Sequence, residues 1–191
     1  MVQLLRKCSR WAEAQELKQL QKQLGAAGTN MQIEGTFRIK NPQCIFIGNN
    51  FSALSRLRLE AWTEYAADSF QPRITIGDQV VINTDVHIGC INEVQIGNRV
   101  LMASRIFISD HDHGATDAAS LQIPPVQRPL VSKGPVVIED GVWIGEGVCI
   151  LSGVRIGKNS IIGANAVVTQ SFPEGSIIGG VPARLIGPRP A

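Results

Sequence analysis

The feature that most restricts this chain is a period of six. From Ile138 an aliphatic residue returns at Ile144, Ile150, Ile156, Ile162 and Val168, and a glycine follows it in Ile144-Gly145, Ile156-Gly157 and Ile162-Gly163. Four places after each comes a second small or apolar residue: Val142, Val148, Val154, Ser160 and Ala166. The same spacing runs earlier through Ile76, Ile82 and Ile88 and, after a two-residue slip, through Ile96, Met102 and Ile108. On an α-helix residues six apart point in different directions, whereas a strand that bends at every sixth residue returns each one to the interior. Gly and Asn at the bends, as in Ile76-Gly77-Asp78 and Ile96-Gly97-Asn98, suit corners that need a positive φ or a missing Cβ. Three strand-and-corner units make one coil, and Ile138 to Ile156 spans three sixes. Stacked coils bury their aliphatic ladders only against their neighbours. The pattern predicts an all-β parallel β-helix of about five coils, with residues 39–59 a degraded first part.

Composition agrees. Ile and Val number 38 against 13 Leu, and five of those Leu lie in the first 24 residues, so strand-type residues dominate the rest. With 191 residues the chain is one domain. Its 44% apolar content argues for a folded protein, and no apolar run approaches the roughly 20 residues of a membrane-spanning helix. A net charge of +2 gives no case for nucleic-acid binding. Cys8, Cys44, Cys90 and Cys149 form no Cys-x-x-Cys pair and read as apolar fillers. Residues 1–30 read as an N-terminal helical extension, residues 31–187 as the solenoid, and 188–191 as a tail. In the extension Leu4, Cys8, Trp11, Leu20 and Leu24 form a helical stripe ended by Gly25, expected to pack on the solenoid end. Its excess of Lys and Arg also allows peripheral contact with a membrane surface. The mixed-charge N-terminus is unlike a secretory signal, so a cytoplasmic protein is expected.

The period fails once conspicuously. Thirty residues separate Ile108 from Ile138 where eighteen would keep step, so about 12 leave the coil as a protruding loop within 109–135. The loop opens with Ser109-Asp110-His111-Asp112-His113-Gly114 and so holds two of the three histidines. The third, His87, precedes the inward Ile88 and points outward by alternation.

These repeats, the Asp110-His111-Asp112-His113-Gly114 loop, Val142-Trp143-Ile144-Gly145 and the ending Gly179-Gly180-Val181-Pro182-Ala183-Arg184 resemble the bacterial hexapeptide-repeat acyltransferases. Within them the chain is most similar to O-acetyltransferases of lipopolysaccharide O-antigen and exopolysaccharide synthesis, and more distantly to galactoside, maltose and nodulation-factor acetyltransferases. The likeness spans about residues 70–187. It implies a left-handed coil, a homotrimer, acetyl-CoA bound between subunits, and a sugar or glycan acceptor, free or lipid-carried. No metal is implied. The hand rests on the resemblance alone, because crossovers between parallel strands are otherwise almost always right-handed.

The chemistry implied is acetyl transfer from a thioester to a sugar hydroxyl, which must lose its proton as it attacks; neutral imidazole suits that task. Counted without gaps from Ile96-Gly97, His113 falls in the column of the catalytic histidine of the sugar acetyltransferases, with His111 as second candidate. Asp110 or Asp112 would hold the imidazole tautomer. The same count sets Asn83 where relatives carry an Asn at the reacting centre, although a corner position explains it equally well. Asp85 and His87 are outward candidates for acceptor contacts. Trp143 is outward, an unusual place for a large aromatic, and is expected on the cleft wall near the thioester. Gly145, Gly163, Ala164, Thr169, Gly180, Pro182 and Ala183 are expected along the pantetheine arm, with Arg184 at a CoA phosphate. Three alternatives stand beside this: N-acetylation of an amino sugar or an antibiotic, a zinc enzyme like the γ-class carbonic anhydrases using the three histidines, and a purely structural solenoid.

Overall fold

The computed structural model describes residues 14–187. Strands of two to five residues alternate with corners and pair in parallel with the strands one coil before and after. Three faces result. The first includes Ile45–Ile47, Arg73–Ile76, Glu93–Ile96, Val136–Ile138 and Arg155–Ile156. The second includes Ser52–Ala53, Val81–Ile82, Leu101–Met102, Trp143–Ile144, Ile161–Ile162 and Ile177–Gly179. The third consists of Phe37–Lys40, Leu57–Ala61, His87–Cys90, Phe107–Ser109, Cys149–Ile150 and Val167–Val168.

The sixfold residues are the rungs of the interior. Ile47, Ile76, Ile96, Ile138 and Ile156 stand in lateral register on the first face. Ala53, Ile82, Met102, Ile144, Ile162 and Ile178 do so on the second, and Ile39, Leu59, Ile88, Ile108, Ile150 and Val168 on the third. Nearly all are fully buried, and each such Ile contributes on the order of 2 kcal/mol of apolar transfer free energy. The first and third faces hold six strands each, so the solenoid has six coils where the repeat count suggests five. The difference lies at the N-terminal end: Ala26–Ala27 already pairs with Ile45–Ile47, inside the residues assigned to the extension.

The glycines after the first-face Ile serve close approach. A Cβ on Gly77 would stand 2.6 Å from Asn98 Oδ1, and that oxygen accepts the Asp78 N–H at 2.8 Å. The positive φ of these corners falls two residues later, at Gln79 and Arg99.

Helical residues 14–23 close the N-terminal end, with Leu20 and Leu24 buried and Leu17 against the same cluster. Leu4, Cys8 and Trp11 of the expected stripe, and the tail 188–191, lie outside the described residues. Among the described residues no helix is long and apolar enough to cross a membrane.

Candidate active site

Two insertions leave the solenoid from the same edge, where the third face turns back to the first. One, from Ala61 to Arg73, carries the antiparallel strands Glu64–Tyr65 and Asp68–Ser69. The other, between Ser109 and Val136, is the expected loop; within it Asp112–His113 pairs antiparallel with Leu130–Val131. The Tyr65 hydroxyl donates to the Val126 carbonyl at 2.6 Å, joining the two. Beneath them lies a cleft of about 280 Å³ whose wall includes His87, His111, His113, Glu60, Tyr65 and Phe107, so all three histidines meet there.

The floor of the cleft follows from strand register. Outward positions on the third face run Arg38, Arg58, His87, Phe107 in one column and Lys40, Glu60, Gly89, Ser109 in the next. Gly89 is the empty square: a Cβ there would stand 3.2 Å from His111 Cε1. The imidazole of His111 occupies the space the missing side chain leaves.

Asp110 orients that ring. Its carboxylate is fully buried and accepts the main-chain N–H groups of Ile91 at 2.9 Å and Asn92 at 2.7 Å. The Cys90 thiol lies 3.3 Å from it, and burial together with Asp110 pushes that thiol's pKa far up. His111 Nδ1 stands 2.9 Å from Asp110 Oδ1. A carboxylate only accepts, so in the neutral ring the proton sits on Nδ1 and Nε2 carries the lone pair. Among the described residues Nε2 has no hydrogen-bond partner. Ser152 donates to the Asp110 carbonyl at 2.7 Å, fixing the backbone from the following coil. His113 differs: it is exposed on its short strand, its ring edge-on to Tyr65 at 5.2 Å, and among the described residues no carboxylate meets it. Asp112 is exposed beside it.

A second carboxylate and imidazole face the same cleft. Glu60, with its side chain 3% exposed, takes Arg58 Nη2 at 3.1 Å, Arg38 Nε at 3.2 Å and His87 Nε2 at 3.2 Å. Burial raises the Glu60 pKa, but Arg58, His87 and Arg38 outweigh it and hold the carboxyl below its usual range. For His87, burial and then Arg58 lower the pKa, more than Glu60 raises it. An uncompensated buried carboxylate would cost several kcal/mol, so the cationic partners explain why one is tolerated here.

The remaining expected residues group elsewhere on the single chain. Asn83 is half-buried at the exit of the second face, where its N–H donates to the Met102 carbonyl. Asp85 forms a two-point ion pair with Arg56 in a neighbouring cavity that it shares with His87. Trp143 is half-exposed on the second face and does not line the histidine cleft of its own chain. Gly145 is buried because a Cβ there would stand 2.7 Å from Ala164 N. Gly163 is half-buried, and Ala164, Thr169, Gly180, Pro182 and Arg184 are exposed towards the C-terminal end. Ala183 is fully buried in the single chain; its N–H donates to the Val167 carbonyl and its own carbonyl accepts from Arg184. Among the described residues no group of three His, Cys, Asp or Glu is placed to hold a metal ion.

Glu60, Arg58, Tyr65 and Gly89 escape the sequence reading. A signal existed: Ile47, Ala53 and Leu59 are in step, and 17 residues then pass before Ile76. One step of six separates consecutive rungs, so about 11 residues leave the coil there, while between Ile108 and Ile138, also consecutive rungs, about 24 leave it rather than the 12 the spacing suggests.

Comparison with known proteins fits this geometry. Residues 135–170 match the bacterial transferase hexapeptide (six repeats) family. WbbJ of Escherichia coli strain K12, named as a lipopolysaccharide biosynthesis O-acetyl transferase, is 41% identical over 152 residues, which cover 78% of this chain and 74% of WbbJ. The chain belongs to the hexapeptide-repeat acyltransferases. A hexapeptide-repeat acetyltransferase of Vibrio cholerae superposes with a TM-score of 0.66 at 26% identity, covering 94% of this chain and 82% of its own. That protein is also solved with acetyl coenzyme A, with a TM-score of 0.53 at 26% identity, covering 94% and 79%. A maltose O-acetyltransferase from Clostridium difficile 630 gives 0.53 at 26% identity, covering 87% and 71%. The fold is thus the left-handed parallel β-helix of this family, with an N-terminal helix and a protruding loop.

Proposed function

We propose that this acyltransferase moves acetyl from acetyl-CoA to a sugar hydroxyl of a surface polysaccharide or its precursor, with His111 as general base. The observation that carries the reading is the Asp110–His111 pair: a buried, hydrogen-bonded carboxylate fixes Nδ1–H of a ring that lines the cleft, leaving Nε2 without a partner among the described residues. Acetyl-CoA supplies an activated thioester. The acceptor hydroxyl gives its proton to Nε2 as its oxygen attacks the acetyl carbonyl, the carbon–sulfur bond then breaks and CoA leaves as the thiol with that proton, so direct transfer needs no nucleophilic side chain. The gap-free count favours His113 for this role, and its ring lines the same cleft; the missing carboxylate ranks it second. Similarity to WbbJ supports a polysaccharide acceptor.

The reading includes a homotrimer. Val81, Leu101 and Trp143 stand in lateral register on the second face, 40%, 43% and 50% exposed, an apolar stripe a second copy would cover. Asn83, Trp143 and Gly163 would then face a neighbour's histidine cleft, with donor contacts shared between subunits.

The test is thiol release from acetyl-CoA with a panel of sugars, nucleotide-sugars and chloramphenicol. Turnover on a sugar with the product acetylated on oxygen is expected. An N-acetylated product, or turnover on chloramphenicol alone, sinks the reading. In His113→Ala a fall of less than about tenfold is expected; a larger loss there than in His111→Ala transfers the base to His113.

A further inference from the structure

Next to the histidine cleft lies a larger cavity of about 460 Å³ that the transfer chemistry does not use. Its wall carries Arg38, Arg56 and Arg58 against a single carboxylate, Asp85, and it shares Arg58 and His87 with the cleft. We propose that this cavity binds an anionic group of the acceptor, a phosphate or a carboxylate carried with the sugar, through Arg38 and Arg58. The proposal rests on the acetyl-transfer reading and narrows its substrate class.

The argument is one of unspent donors. Arg56 directs both Nε and Nη2 at Asp85, so its charge and its fork are satisfied. Arg38 and Arg58 share one carboxylate, Glu60, and each gives it a single nitrogen, Nε of Arg38 and Nη2 of Arg58. A guanidinium has five N–H donors, so among the described residues most of theirs are left for a ligand, and one positive charge has no ion-pair partner there. Both side chains are open, 67% and 45% exposed, while the carboxylate that aligns them is 3% exposed. Glu60 is therefore a positioning residue: it sets two guanidiniums side by side on adjacent rungs, a geometry suited to the oxygens of phosphate or carboxylate.

Register also fixes the scale. Arg38 is two rungs from His87, about 10 Å at roughly 4.8 Å per rung, and the His111 ring lies against Gly89 of the same strand as His87. An acceptor lying along the third face would place its hydroxyl at His111 and its anionic group on the order of 10 Å away.

The test uses one sugar as a neutral methyl glycoside, as the uronic acid methyl glycoside and as the nucleoside diphosphate sugar, under saturating acetyl-CoA. At least one anionic acceptor should exceed the neutral one about tenfold in kcat/KM, mainly through KM, and which one identifies the source of the charge. Arg38→Gln should cut that ratio about tenfold at unchanged melting temperature, with Arg38→Lys in between. In parallel, uridine diphosphate and methyl glucuronide are titrated calorimetrically into protein saturated with CoA, which occupies the donor's own phosphate sites. Equal kcat/KM for all three acceptors, binding of neither anion, or a preference untouched by Arg38→Gln overturns the pocket. Anion binding weakened by Arg38→Gln, with transfer to no sugar, upholds the pocket and overturns the O-acetyl reading instead.

Discussion

The Asp110–His111 and Glu60–His87 pairs open on one cleft, yet they are built from different partners. Asp110 is held by neutral main-chain N–H groups of residues 91 and 92 and, among the described residues, by nothing cationic, which on the proposed reading leaves its charge to polarise His111. Glu60 is ringed by Arg58, Arg38 and His87, so its charge is spent on alignment. On the proposed reading, a carboxylate–imidazole contact is not in itself a catalytic pair: what else the carboxylate holds would decide whether the imidazole serves as a base or as part of a wall.

The largest effect that tests this contrast is expected from His111→Gln. Loss of the proposed general base should lower kcat about 10²- to 10⁴-fold, while His87→Gln should lower it far less; equal losses would erase the distinction. Asp110→Asn should follow, with kcat down on the order of 10²-fold through the wrong tautomer and stability down by about 1–3 kcal/mol. Steady-state kinetics and urea unfolding separate those two components. Gly89→Ala comes next: a methyl 3.2 Å from the His111 ring should displace it and reduce kcat up to about tenfold, with little change in melting temperature. Unchanged kcat in that variant would show that the ring's placement is not needed.

The smallest effect concerns pH. The His87 pKa is lowered in the fold, below its ordinary 6.5, by burial, Arg58 and His111 against the opposing pull of Glu60. Between the two values the unfolded chain binds more protons, so stability rises with pH there. The contribution is complete above about 6.5 and is lost as pH falls towards the depressed value. Melting temperatures from pH 7.5 to 5 should fall less steeply for His87→Gln than for the wild type. Parallel curves would mean that His87 titrates alike in both states.

The solenoid was legible because each coil obeys one local rule: an aliphatic residue six places on is inward whatever the rest of the chain does. That rule marked every interior rung from Ile76 to Val168 and marked Asp110, His111 and His113 by its failure. It missed the first coil and the insertion after Ala61, where Ala53 and Leu59 stand in place of the Ile-Gly signature. Glu60 was illegible for another reason. Alternation sends it outward, and its partners are Arg58 of its own strand with Arg38 and His87 arriving from the neighbouring coils. Trp143 was read as outward and is half-exposed, but its distance, and that of Asn83, from the histidines of their own chain depends on how three faces wrap, which spacing along one strand does not encode.

The Tyr65–Val126 hydrogen bond ties the shorter insertion to the longer one. Neither roof segment can be exchanged alone without unfastening the other. Chimeras that borrow acceptor preference from a relative should therefore transplant both segments together, leaving the prism beneath them untouched.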